Sequence, residues 1–136
     1  NRPLGKRLGE LNGDFALGPL AGVPLYHGGP VHTEQLLLAA WELREDGFRL
    51  HFGIEPARAG QLLSEPDVVV RAFLGYSGWS GGQLENELKH NTWVVADIPG
   101  DLLEGAQDNA LWREILGREG DDWRLLAGEP EDPGLN

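Results

Sequence analysis

The sequence predicts an α+β domain with a mixed sheet. Three observations carry that reading: strand-length apolar runs at 48–54 and 68–74, helix-length patterns at 56–63, 81–90 and 108–117, and glycine or proline between them. At 136 residues the chain can bury one ordinary core, so it reads as a single domain over 1–136.

Residues 4–22 place five glycines among leucines and a phenylalanine, which allows only a short, weak helix around 6–11. Residues 23–26 form a short strand, and Pro24 confines it to an edge or a strand start. His27, Gly28, Gly29, Pro30 and Val31 make a loop, because the paired glycines relax the backbone and Pro30 biases Gly29 away from helix. Residues 34–43 are rich in Leu, Ala, Glu and Gln, and propensity alone makes them a helix capped by Thr33. Residues 44–47 turn the chain. In 48–54, Phe48, Leu50, Phe52 and Ile54 alternate with polar positions, the signature of a half-buried strand.

Pro56 suits the first turn of a helix reaching Leu63, which Ser64, Glu65 and Pro66 terminate. Residues 68–74 are apolar on both faces apart from Arg71, as an interior strand requires. A turn containing four glycines follows, and Ser80 or Gly81 caps a helix over 81–90 in which Leu84 and Leu88 share a face. Residues 92–98 are β-branched and aromatic and read as a strand that would complete a crossover unit with 68–74 and 81–90. Asp108 opens a last helix with Leu111, Trp112, Ile115 and Leu116 as its stripe and Gly117 as its stop. The acidic tail over 129–136 is expected to be mobile.

Composition narrows the chemistry. Eleven Lys and Arg against 22 Asp and Glu give a net charge of −11, which disfavours bare nucleic acid and anionic membranes as partners. The basic residues are scattered, and no helix-turn-helix pattern accompanies them. Cysteine is absent, which removes disulfides, thiolate metal sites and a cysteine nucleophile, and fits a cytoplasmic protein. No apolar run has the ~18 residues of a membrane span. His27, His32, His51 and His90 lack metal-ligand spacing, so neither metal nor cofactor is expected.

The turn after Leu74 invites two catalytic readings, and its residues oppose both. A phosphate loop needs Gly-Lys-Ser/Thr entering the helix, whereas Gly82 is followed by Gln83 and Leu84. A nucleophile elbow needs Gly-x-Ser-x-Gly, whereas Ser77 is followed directly by Gly78 and then Trp79. Tyr76 and Trp79 within the turn are either lids over the core or anchors for a partner. Glu85 and Glu87 point to different helix faces and read as solvated surface.

Gly75, Gly78, Trp79, Gly82, Gln83, Leu84, Glu85 and Leu88 match a recurring Gly-Tyr-x-Gly-Trp-x-x-Gly-Gln-Leu signature, and Gly28-Gly29-Pro30-Val31 forms a second matching segment. With the opening Asn1, Arg2 and Pro3, these segments make the chain resemble the YqgE/AlgH family of small bacterial proteins. It departs from the common form at Ser77, Ser80 and Gly81, where relatives often have alanine, glycine or proline. The resemblance implies a complex, bent, partly barrel-like mixed sheet surrounded by helices, and it makes 34–43 a strand, which we adopt over propensity. It also implies an apolar strand ahead of the Asn-Arg-Pro turn. Since the chain contains no methionine and Asn1 is not a translational start, we expect a fold lacking that edge.

The family has no firmly assigned reaction, and its members are often labelled transcriptional regulators. The resulting expectation is a cytoplasmic, non-enzymatic regulatory or adaptor protein. It would bind a protein or small ligand through Gly28, Gly29, Pro30, Tyr76, Trp79 and Gln83. The alternative is a small-molecule-binding protein or a hydrolase using Tyr76, Ser77 and His27 or His90.

Overall fold

A computed structural model describes residues 2–97, 108–120, 123 and 125. The chain forms two compact units, Asn1–Gly78 and Trp79–Asn136. The first holds the sheet.

Five strands make an open mixed sheet: β1 (Pro3–Arg7), β2 (Pro24–His27), β3 (Val31–Arg44), β4 (Gly47–Phe52) and β5 (Val68–Tyr76). Their spatial order is β1-β2-β5-β3-β4. Only the β2–β5 pairing is parallel among the described pairs, with Leu25 opposite Ala72 and Tyr26 opposite Phe73. β3 runs antiparallel to both β5 and β4. The fold is therefore α+β, as the element order predicts. With β1 and β4 as edges, the sheet is not closed, and a partly barrel-like description fits it only loosely.

The apolar run 68–74 is central because it has two covered faces. Val70 and Ala72 turn to one side, where they meet Leu25, Leu38 and Ala40, and this layer is closed by Leu8, Leu20 and Val23 and by Ala59 and Leu62 of α2 (Pro56–Leu63). On the other side Phe73 lies 5.7 Å from the Tyr26 ring and 6.1 Å from Trp41. Arg71 shares that side, its guanidinium 5.1 Å from the centre of the Tyr26 ring and 5.7 Å from that of Trp41. Packing against aromatic faces lets a charged residue occupy an interior strand.

Residues 34–43 are strand throughout, inside the 14-residue β3. Their helix propensity is overridden because Leu36, Leu38 and Ala40 face one layer while Leu37, Ala39 and Trp41 face the other, each opposite a β5 residue. α2 matches its sequence bounds: Pro56 opens it, and Ser64 closes it by donating its hydroxyl to the carbonyl of Gln61 at 2.8 Å. The region around 6–11 is corrected in part. Its first half is strand β1, paired with β2. Helix α1 is only Leu8–Leu11, started where the Arg7 N–H donates to Glu10 Oε2 at 2.6 Å. Pro24 does begin a strand, but β2 sits inside the sheet, between β1 and β5.

In the second unit, α3 spans Gln83–Lys89 and α4 spans Asp108–Arg118. The cap of α3 is Gly82, at φ 79°, rather than Ser80 or Gly81. α4 continues one residue past Gly117, and Trp112 is exposed while Leu116 is buried. The expected strand at 92–98 is absent over 92–97, so the crossover unit does not form. Local hydrogen bonding explains the difference. Asn91, at φ 56°, reverses the chain after α3, and the Thr92 N–H returns to the carbonyl of Glu87 at 3.1 Å. Residue 98 and the tail at 129–136 lie outside the described residues.

Candidate functional site

β5 ends where the chain must bend past the loop between β2 and β3. The Gly28 N–H donates to the carbonyl of Leu74 at 2.8 Å, extending the parallel β2–β5 pairing by one bond. At that approach no side chain fits. A Cβ on Gly28 would stand 1.9 Å from the carbonyl oxygen of Gly75, and one on Gly29 would stand 2.3 Å from the carbonyl carbon of Tyr76. Gly75 itself sits at φ 73°, where a side chain would also press on the Gly29 oxygen at 2.5 Å. The two glycine-rich segments therefore touch backbone to backbone within the first unit. Tyr76 opposes Val31 in the ladder, and its ring stacks on exposed His32 with centroids 5.9 Å apart. Pro30 and Ser77 are exposed at the margins of this contact.

Trp79 and Gln83 belong to the second unit, where they converge on a residue the sequence reading treated as plain surface. Glu87 Oε2 accepts the indole N–H of Trp79 at 3.0 Å and that of Trp93 at 2.6 Å, and Oε1 accepts the Gln83 amide at 2.9 Å. Gln83 in turn accepts the Ser80 N–H at 3.1 Å and is 3.2 Å from the Ser80 hydroxyl. The two indoles meet edge to face, 5.6 Å between centroids. Trp93 Nε1–H is the largest cause holding the Glu87 carboxyl below the ordinary glutamate range, with the Gln83 amide and Trp79 indole adding to it and desolvation opposing. The carboxylate is thus the hub of a small network that pins both rings.

Reading Glu87 as solvated surface is accordingly corrected. The available signal was spacing: Trp79, Gln83 and Glu87 recur every four residues, and Gln83 and Glu87 are neighbours on one helix face. Trp93 was missed because its β-rich surroundings suggested a strand. Although pinned, the rings are not buried, with Trp79 40% and Trp93 47% exposed. Of the predicted site residues, then, Gly28, Gly29 and Tyr76 come together in one unit with Pro30 beside them, and Trp79 and Gln83 come together in the other.

Elsewhere the chemistry is sparse. His90 Nδ1 lies 2.8 Å from the carbonyl of Asn86, a helix-end contact. His51 lies 3.0 Å from Glu42, whose carboxyl is held low first by that hydrogen bond and further by Arg44. Among the described residues no group of three His, Cys, Asp or Glu side chains is placed to hold a metal, and no helix is long and apolar enough to cross a membrane. A shallow groove of about 480 Å³ runs between the Gly13–Phe15 3₁₀ turn and α2, lined by Asp14, Phe15, Pro19, Pro56, Gly60 and Ser64 among others.

The AlgH-like family matches residues 1–124. The UPF0301 protein SCO2948 of Streptomyces coelicolor is 35% identical over 150 aligned positions, which cover 100% of this chain and 76% of the relative. A UPF0301 protein of Chlorobium luteolum is 33% identical over 123 positions, covering 83% of this chain and 65% of its own. The solution structure of the AlgH protein from Pseudomonas aeruginosa superposes with a TM-score of 0.56 at 25% identity, covering 97% of this chain and 76% of that one. The chain belongs to the AlgH-like, UPF0301 family of uncharacterised proteins.

Proposed function

We propose that this chain is a non-enzymatic regulatory or adaptor protein of the cytoplasm that works by binding a protein partner. The observation that carries the reading is the pair of exposed indoles held on Glu87. Large aromatic side chains that are fixed before binding lose little freedom when a partner covers them, and Trp is enriched among binding hot spots. The Gly28–Gly75 contact contributes rigidity, since its backbones leave no room for a side chain between them. The excess of acid over base favours regulation through a protein over direct contact with DNA.

The test is affinity co-purification from lysate with the natural full-length protein, compared with its Trp79→Ala variant. A specific protein lost from the variant's eluate supports the reading. An unchanged set of captured proteins returns Trp79 to a structural role. Hydrolysis of an ester or phosphate substrate that disappears in Ser77→Ala would replace the adaptor reading with the enzymatic one.

A second reading, small-molecule binding, is favoured by the groove between the 3₁₀ turn and α2, whose size suits a small ligand. A ligand there would raise thermal stability in a concentration-dependent way, and Gly60→Leu would abolish that shift.

A further inference from the structure

We propose that the indole pair and the adjoining leucine stripe of α3 form one docking surface for a basic protein segment that carries apolar anchors, such as a lysine- or arginine-rich amphipathic helix. The inference rests on the adaptor reading and supplies the chemistry of its partner.

Two observations lead to it. α3 buries none of its residues, and Leu84 and Leu88 lie one turn apart on one face, each 36% exposed. At 100° per residue, Glu87 falls about 60° to one side of Leu84, and Glu85 about 60° to the other side of Leu88. The stripe is therefore flanked by carboxylates, and the one on the Glu87 side carries both indoles. Glu87 thus ties the aromatic pair to one margin of the leucine stripe, and Glu85 lines the other.

Charge then selects among occupants. The chain as a whole carries 22 Asp and Glu against 11 Lys and Arg, a net charge of −11. That field repels a second copy, an anionic bilayer and nucleic acid. It attracts a basic segment and speeds its arrival, while the leucines and tryptophans supply the area that holds it once docked. Such a segment lays alternate turns of apolar side chain into the stripe and sets its lysines against Glu85.

The experiment titrates the full chain with a synthetic Lys/Leu amphipathic peptide, following the indole N–H resonances of Trp79 and Trp93. Two control peptides are used: a Glu/Leu peptide of the same apolar pattern, and a Lys/Gln peptide without leucine. The Lys/Leu peptide is expected to bind, to shift both indole resonances, and to weaken about tenfold between low and moderately high salt. The controls should bind at least about tenfold more weakly. Leu84→Ser with Leu88→Ser should cost about tenfold, and Glu85→Lys, which leaves the stripe intact, should cost several-fold. Equal binding of either control, indifference to both variants, or no binding of the Lys/Leu peptide overturns the proposal. The adaptor reading fails separately. A natural partner lost with Trp79→Ala, yet insensitive to salt and to the leucine variants, would keep the adaptor and discard this surface.

Discussion

Gly28→Ala is the sharpest perturbation of the first unit. The new Cβ would lie 1.9 Å from the Gly75 oxygen, where contacts below 3.0 Å essentially never occur, so the two backbones must part by about 1 Å or more. That movement stretches the 2.8 Å bond from the Gly28 N–H to the Leu74 carbonyl beyond useful length. Gly75 cannot yield easily, because it is fixed at φ 73° with the Gly29 oxygen close on its other side. A lost backbone hydrogen bond costs about 1 kcal/mol, and forcing atoms into a close-packed contact costs a further ~1–3 kcal/mol. The expected loss is therefore about 2–4 kcal/mol, read as a lower midpoint in urea denaturation with little change in slope. Gly13→Ala is the control: a Cβ there meets nothing within 4 Å, and the change should stay within ~0.5 kcal/mol. If Gly28→Ala matches the control, the close approach of the two glycine segments is wrong.

Glu87→Ala should release both indoles. The expected result is loss of the near-ultraviolet circular dichroism of the coupled Trp79–Trp93 pair, together with loss of any partner that Trp79→Ala loses. Leu62→Ala removes a core side chain of α2 that is 4% exposed and should cost about 2–4 kcal/mol in the same urea titration. Ser77→Ala should leave stability and partner capture unchanged, since Ser77 is exposed and carries no role in the adaptor reading.

β2, β4, β5 and α2 were largely legible because their signals are local. Pro56 and Ser64 frame α2, and the two-faced apolar run at 68–74 demands a central strand whatever surrounds it. β3 was not legible from propensity. Its leucines and alanines favour helix, and only pairing with β5 along both faces decides for strand, a contact between distant residues that family likeness supplied. The segment after α3 failed in the opposite direction. Thr92, Trp93, Val94 and Val95 read as strand in isolation, but Asn91 in the left-handed region and the Trp93 bond to Glu87 turn the chain back onto its own helix. The glycine half of the candidate site was visible as punctuation, while its acidic hub was hidden, because one glutamate among 22 acids has no distinguishing mark until two indoles are seen to point at it.

The proposed function depends on Glu87 holding Trp79 and Trp93 in place, and an acid titration of the two indole N–H resonances tests that most directly. Hydrogen bonding to the ionised carboxylate keeps its proton affinity low, so the network is intact at neutral pH and is lost as pH falls through a midpoint below the ordinary glutamate range. The account predicts that both resonances move together with that single depressed midpoint, and that Glu87→Gln abolishes the transition. Resonances that ignore pH over that range, or that titrate apart from each other, would contradict it.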